Sequence, residues 1–235
     1  AAFTHAGGTD GTQKQSLAIS DDEGATFTLH AGNPVLPNDG SVDFRDPKVF
    51  WHDESARWVM ALARGPLNSL YTSPDLITWA EASVIEPPTE AGGVLECPEL
   101  FALPVEGGAG GVAWVLEYER NHLAEGGPPR PDAFYLTGDF DGRTFTPDAT
   151  GERLADHGPD FYAAQAWSDA PEGRRLWVAW MSHWAYALAV PTRGWRGQMT
   201  LPRELGLRDD GEGLVLTQRP VVELAARARE PVATI

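Results

Sequence analysis

Two acidic residues beside proline-containing turns have the types and the setting for bond-cutting chemistry. Asp46 lies in Arg45-Asp46-Pro47, and Glu96 lies in Glu96-Cys97-Pro98, about one β-sheet unit further along the chain. Cleaving a glycosidic bond takes two carboxyl groups in one pocket, one as proton donor and one to support a cationic sugar transition state. The pair therefore indicates a glycosidase, if the fold brings the two turns together.

The residues around Glu96 suit a catalytic acid. Such an acid has to stay protonated near the working pH, which requires apolar surroundings or a neighbouring carboxylate. Val94 and Leu95 precede Glu96, and Cys97-Pro98 follows it, so the local setting favours dehydration of the carboxyl group. The alternative is that Glu96 simply ends a strand.

Asp46 suits the complementary role. An Asp before Pro is usually a turn former, because Pro restricts it to extended backbone and its side chain caps nearby amides. Here Arg45 directly precedes it and should keep it ionised, and an anion is what a developing oxocarbenium ion needs. An ordinary ion pair between the two side chains is the alternative.

Five blocks, in this order along the chain, together resemble glycoside hydrolase family 32 in its levanase, exo-inulinase and invertase branch. The first contains Phe44-Arg45-Asp46-Pro47, and the second contains Leu95-Glu96-Cys97-Pro98. The remaining three are residues 160–165, 180–186 and 195–205. The resemblance extends from about Ala2 to Pro220, and an ordered set of blocks is more specific than any one of them.

The resemblance implies a role for each motif residue. Glu96 would be the general acid and base, which protonates the leaving oxygen and then activates water. Asp46 would stabilise the transition state and bind fructosyl hydroxyls, and Arg45 would donate to a hydroxyl. The implied activity is a retaining hydrolase that releases fructose from levan, inulin or sucrose.

Three further residues are candidates for the sugar subsite: Asp160, Tyr162 and Trp184. Aromatic faces stack on sugar C–H surfaces, and carboxylates bind hydroxyl groups. The alternative is that the two rings belong to the core and that Asp160 is a turn residue. Glu99 is expected to make a structural pair, and Cys97 to be a buried small residue.

The sequence departs from the family pattern at its start. Family members open with a Trp-Met-Asn-Asp-Pro-Asn-Gly block whose Asp is the covalent nucleophile, and no such block occurs here. We therefore expect a fragment that lacks its nucleophile and is inactive by itself.

Repeated turns and short apolar runs predict an all-β fold. In three places an acidic turn residue precedes an aromatic residue by four or five positions, which suits a hairpin whose next strand buries the ring. These turn residues are Asp22, Asp75 and Asp141, spaced like four-stranded propeller blades. We predict a partial β-propeller of about four blades over residues 1–220, from a five-bladed parent by resemblance, and a linker toward a further β-sandwich over 221–235.

Charge and motif scans limit the partners. The 235 residues include 34 acidic and 18 basic ones, and a net charge of −16 would repel phosphate backbones and anionic lipid surfaces. We expect neither nucleic acid nor membrane as a partner, but a neutral fructose-containing saccharide. No histidine spacing or nucleotide loop suggests a metal or cofactor, so none is predicted.

Two other functions remain open at this stage. Residues 20–27 fit the Asp-containing turn of sialidases, although those enzymes need three arginines for a carboxylate substrate, and Arg45 alone sits in a pocket-like motif before position 74. The other alternative is a non-catalytic carbohydrate-binding propeller.

Overall fold

A computed structural model describes residues 1–7, 11–87, 93–107, 110–121 and 130–227. The strands in these ranges are β1 (Ala2–Ala6), β2 (Gln13–Ile19), β3 (Thr28–Leu29), β4 (Arg45–His52), β5 (Arg57–Arg64), β6 (Leu67–Ser73), β7 (Ala80–Ile85), β8 (Val94–Glu106), β9 (Val112–Asn121), β10 (Ala133–Phe140), β11 (Phe145–Pro147), β12 (Arg153–Leu154), β13 (Tyr162–Trp167), β14 (Arg175–Trp180), β15 (Arg203–Asp209) and β16 (Leu214–Pro220). One short helix, α1 (Val222–Arg227), follows them.

The described strands form three sheets. The first has the order β1-β2-β3, and the second has the order β4-β5-β6-β7. The third has nine strands in the order β11-β10-β9-β8-β15-β14-β13, with β12 on β10 and β16 on β15. A short parallel pairing of β8 with β15, Val105 with Leu207, joins two antiparallel halves of this sheet, β8–β12 and β13–β16. The strands thus fall into four groups, matching the predicted number of blades.

The predicted aspartate turns are present. Asp22 accepts hydrogen bonds from the backbone N–H and the hydroxyl of Thr26, at 2.8 and 2.7 Å. Asp75 and Asp141 accept backbone N–H groups in the same way. The expectation that the following ring is always buried is wrong for Phe27, which is 54% exposed. The β3 strand that follows has two residues, both exposed, so no apolar layer covers this ring.

Apolar side chains fill the space between the sheets. One cluster lies between the two halves of the nine-stranded sheet and includes Phe161 and Trp177. A second joins β5 and β6 to β8–β11 and includes Leu116 and Tyr118. The inner strands therefore carry buried residues on both faces, as expected where one blade packs against the next.

The structure describes only part of the predicted C-terminal linker, residues 221–235. Residues 222–227 form α1, within the predicted linker. Residues 228–235 lie outside the described part of the chain, and the role of 221–235 as a linker stays a prediction. Among the described residues, no helix is long and apolar enough to cross a bilayer.

Candidate active site

Three inner strands carry the same irregularity at the same place. The strand register shifts between Arg45 and Lys48 in β4, between Glu96 and Glu99 in β8, and between Tyr162 and Gln165 in β13. One non-glycine residue in each bulge has a left-handed backbone: Asp46 (φ 61°), Cys97 (φ 50°) and Ala163 (φ 54°). Such bulges re-aim side chains, and left-handed non-glycine residues cluster at functional sites.

In each bulge, one backbone N–H donates a hydrogen bond to a side chain on another strand. The N–H of Asp46 donates to Thr4 Oγ1 at 3.0 Å. The N–H of Cys97 donates to Asp46 Oδ2 at 3.0 Å, and the N–H of Ala164 donates to Glu119 Oε1 at 2.7 Å. These contacts give partners to N–H groups that the bulges take out of the strand ladders, and they join β4 to β1, β8 to β4 and β13 to β9.

Arg45 brings the two predicted catalytic carboxyl groups together. Its Nη2 lies 2.8 Å from Glu96 Oε1, its Nε lies 3.8 Å from Asp46 Oδ2, and its Nη1 also pairs with Asp43. Burial by itself would lower the pKa of this guanidinium, but the hydrogen bonds to Asp43 and Glu96 raise it overall, so the charge is permanent. We call Asp46 and Glu96 the rim carboxylates.

Asp46 is partly shielded from solvent. Burial raises its pKa, the N–H of Cys97 and the charge of Arg45 lower it, and the charge of Glu96 raises it again. The sequence indicated the effect of Arg45 on this pKa but not the opposing effect of burial. The contact with the N–H of Cys97 places Asp46 directly beside the bulge that carries Glu96.

Glu96 has a donor on each oxygen. Besides Arg45 on Oε1, the hydroxyl of Tyr162 donates to Oε2, and Asn121 Nδ2 lies 3.3 Å from the same atom. The Glu96 side chain is 17% exposed, so it is less dehydrated than its apolar sequence neighbours suggested. Gly93 leads into this strand with φ 109°, and a Cβ there would lie 2.7 Å from the carbonyl oxygen of Asn121.

The three candidate subsite residues are placed differently. Tyr162 is buried, and its hydroxyl is used by Glu96. Trp184 is exposed and packs edge-on against Trp180, which in turn packs edge-on against Tyr162. The hydroxyl of Tyr186 donates to Asp160, in a cavity of ≈ 710 Å³ that opens between residues 181–203 and β16. Their contacts with a sugar stay predictions.

Three further carboxyl groups lie beneath the rim carboxylates, and we call Glu99, Glu117 and Glu119 the buried acid group. Each is at most 1% exposed. Glu99 pairs with Lys48 Nζ and accepts the N–H of Ala166 at 2.8 and 2.9 Å, as expected from the sequence. In the β8–β9 register, Glu117 lies opposite Glu99, and Glu119 lies opposite Glu96.

Sequence reasoning missed Glu117 and Glu119. In β9 they alternate with Leu116 and Tyr118, and a strand with one dry face would point both acids to water. The sequence nevertheless indicated that this face is buried, because Ala113 and Val115 lie on the same face as the two acids. Thr4, Asn121 and Trp180 were also missed as neighbours of the motif residues.

Cys97 contacts Asp46 through its thiol as well as its N–H, with Sγ 3.7 Å from Oδ2. Burial raises the pKa of the thiol, and nearby carboxylates add to the effect, so Cys97 stays protonated and is a poor nucleophile. Among the described residues, no group of His, Cys, Asp and Glu side chains has the arrangement of a metal site.

Comparison with known proteins adds independent findings. The model of the glycosyl hydrolases family 32 N-terminal domain matches residues 1–220. The chain is 46% identical over 220 residues to a levanase of Bacillus subtilis (strain 168), covering 92% of this chain and 32% of that protein. It is 41% identical over 227 residues to an extracellular exo-inulinase of Aspergillus niger, covering 88% of this chain and 42% of that protein.

Solved structures agree with the fold. A fructofuranosidase from Schwanniomyces occidentalis complexed with fructose matches with a TM-score of 0.80 and 36% identity, over 90% of this chain and 42% of that one. An exo-inulinase from Aspergillus awamori matches with a TM-score of 0.80 and 37% identity, over 89% and 43%. The predicted all-β propeller is confirmed, and the chain spans less than half the length of each of these four relatives.

Proposed function

This chain belongs to glycosyl hydrolase family 32, and we propose that it is part of a retaining hydrolase that releases fructose from β-fructosides such as levan, inulin or sucrose. The observation that carries the proposal is the bulge pair: Asp46 accepts the N–H of Cys97, next to Glu96, and Arg45 contacts both carboxylates. Relatives named levanase and exo-inulinase support a neutral fructose-containing substrate.

In this proposal Glu96 is the general acid and base. Its two oxygens hold donors from Arg45 and Tyr162, which fix the orientation of the carboxyl group. A fixed carboxyl can deliver a proton to the leaving oxygen and later take one from water, and such positioned transfer contributes about 10²–10⁴-fold.

Asp46 is the transition-state stabiliser in the same proposal. Positive charge develops on the fructosyl ring as the bond breaks, and a preorganised anion beside the ring lowers that barrier. Thr4 and Cys97 hold the backbone and the side chain of Asp46 in place without contributing charge. Arg45 pairs with both rim carboxylates and with Asp43, and in this proposal it also donates to a substrate hydroxyl group.

A retaining mechanism also needs a nucleophilic carboxylate about 5 Å from the acid. We assign that role to neither rim carboxylate, and the nucleophile block of the family does not occur in this sequence. The sialidase alternative is not favoured, because Arg45 is the one arginine that contacts a rim carboxylate in the described part of the chain.

The test uses the complete gene product that contains this chain. We expect it to release fructose from at least one of levan, inulin and sucrose, and the first-formed fructose should keep the β-configuration by NMR. The 235-residue chain alone should release none. Inversion of configuration, or no fructose from any of the three substrates, would overturn the proposal.

A further inference from the structure

The buried acid group holds more carboxyl groups than the surrounding positive charge can neutralise. Glu99, Glu117 and Glu119 are sealed from solvent, and Lys48 is the cation in contact with them, through Glu99. Burying an unpaired carboxylate costs several kcal/mol, so a site of this kind takes up a proton instead.

The donors around the group show which carboxyl takes the proton. Glu99 is satisfied as an anion by Lys48 and the N–H of Ala166, and Glu119 accepts the N–H of Ala164. In the described part of the chain, neither oxygen of Glu117 accepts an N–H or O–H from another residue. Glu117 and Glu119 lie two residues apart on the same face of β9, and both side chains are fully buried, so their carboxyl groups are neighbours.

Glu119 is also linked to the rim carboxylates. It accepts the N–H of Ala164, directly after the left-handed Ala163, and Tyr162 on the other side of that bulge donates to Glu96. The chain of contacts therefore runs from Glu119 through the bulge and Tyr162 to the proposed acid.

We propose that Glu117 and Glu119 hold one proton between them, located on Glu117, and that the ionised Glu119 is a positioning residue for Glu96. This deepens the proposed function and rests on it. Glu119 fixes the bulge that carries Tyr162, and its negative charge lies opposite the proposed acid Glu96 in the β8–β9 register. Glu117 supplies the O–H that keeps Glu119 an anion.

The electrostatics agree with this arrangement. Burial raises the pKa of Glu117 well above its usual value, Glu119 and Glu99 raise it further, and Lys48 lowers it. Burial and the charges of Glu96 and Asp46 also raise the pKa of Glu119 well above its usual value, whereas the N–H of Ala164 and the hydrogen bond from Glu117 lower it, so one proton is shared within the pair.

The charged groups that face the pair come from every strand around it. They are Asp46 and Lys48 on β4, Glu96, Glu99 and the thiol of Cys97 on β8, and the hydroxyl of Tyr162 on β13. Lys48 is the single cation of this set and pairs with Glu99, which also interacts electrostatically with Arg175 on β14.

The test compares one substitution at two positions on the same strand, in the complete gene product. Glu119→Gln removes the charge but keeps an acceptor for Ala164, so the alkaline limb of the kcat/KM profile should move about one pH unit toward acid. Glu117→Gln replaces the O–H donor with an amide N–H donor, so its alkaline limb should stay at the wild-type pH. An unmoved limb in Glu119→Gln, or an equal shift in Glu117→Gln, would overturn the proposal.

A third variant tests the positioning. Glu119→Leu removes the acceptor as well as the charge, so kcat should fall about ten-fold below that of Glu119→Gln, with a smaller change in KM. Equal kcat values in the two variants would contradict the anchoring role.

A last measurement does not depend on activity. The wild-type protein at neutral pH should show an infrared band of a protonated carboxyl group, and Glu117→Gln should lack it. Absence of the band from the wild type would refute the shared proton even if a variant failed to fold. If the wild type released no fructose while the band was present, the proposed function would fail and the proton assignment would stand.

Discussion

The rim carboxylates lie on β4 and β8 and the buried acid group lies on β8 and β9, yet the two groups are neutralised in different ways. Glu96 and Asp46 have 17% and 30% of their side chains exposed and share the guanidinium of Arg45. Glu99, three residues after Glu96, is buried, and its charge is neutralised by Lys48. Solvent access, not residue type, therefore separates acids that can meet a substrate from acids that support the fold.

The bulges explain how so short a distance along a strand produces this difference. The register shift between Glu96 and Glu99 turns the first side chain toward the rim and leaves the second in the interior. A regular strand would also alternate its faces, but it would not free the N–H of Cys97 to hold Asp46.

The largest effect should come from removing the proposed acid. Glu96→Ala should lower kcat/KM for sucrose by about 10²–10⁴-fold, because the leaving group of sucrose has to be protonated. For an activated aryl fructoside, whose leaving group needs no proton, kcat/KM should fall less. Steady-state kinetics on both substrates would measure this. Glu106→Ala, at the exposed end of the same strand, is the control and should change little. Near-normal sucrose turnover in Glu96→Ala would show that Glu96 is not the catalytic acid.

Asp46→Asn should lower turnover by about 10²–10³-fold, and by the same factor for both substrates. The reason is that the same fructosyl cation is stabilised whichever group departs. Asp43→Asn changes another carboxylate partner of Arg45 and should cost much less. If Asp46→Asn and Glu96→Ala showed identical substrate dependence, the division between acid and stabiliser would be wrong.

Breaking the ion pair of the buried acid group should lower stability instead of turnover. Lys48→Met leaves Glu99 without its cation, and we expect a loss of about 2–3 kcal/mol, below the usual range for buried pairs because Lys48 is 20% exposed. Denaturant unfolding would measure it. Adding Glu99→Gln should restore part of the loss, whereas Arg174→Met, in the exposed pair with Glu223, should have no clear effect.

The last prediction is a change in how stability varies with pH. Because the pKa of Glu117 is raised, the folded state keeps a proton that the unfolded chain releases above its ordinary pKa of 4.5. Wild-type stability should therefore fall relative to Glu117→Gln by about 1.4 kcal/mol per pH unit as pH rises above that value. Unfolding both proteins from pH 5 to 7 (about two units) checks this, with exposed Glu212→Gln as control. A constant difference would contradict the prediction.

Much of the fold followed from local chemistry. Alternating apolar residues located β5, β9, β10 and β14, and acidic turn residues located the hairpins. The motif acids could also be found from sequence, because a carboxylate next to Pro or Cys-Pro is typical of an irregular strand. Arg45, Asp46, Glu96 and Tyr162 do meet in space, while their catalytic and binding roles stay predictions.

The remaining parts depend on packing between blades, which no single strand specifies. Glu117 and Glu119 look solvent-facing in β9 until β8 and β13 cover them. The left-handed Ala163 gives no sequence signal, since alanine is common in regular strands. Its conformation is fixed from outside, by an acceptor on a strand of another group.

The parallel pairing of β8 with β15 has a consequence for cooperativity. Val105 and Leu207 connect two groups of strands through backbone hydrogen bonds as well as through side chains. Local unfolding of one group removes the backbone hydrogen bonds along the edge strand of the other. We therefore expect amide protons in β9 and β14 to exchange with deuterium in the same unfolding event. Within the described residues the β4–β7 sheet shares no such ladder with the other sheets, so we expect it to open separately, which makes the bond between Arg45 and Glu96 a contact across two folding units.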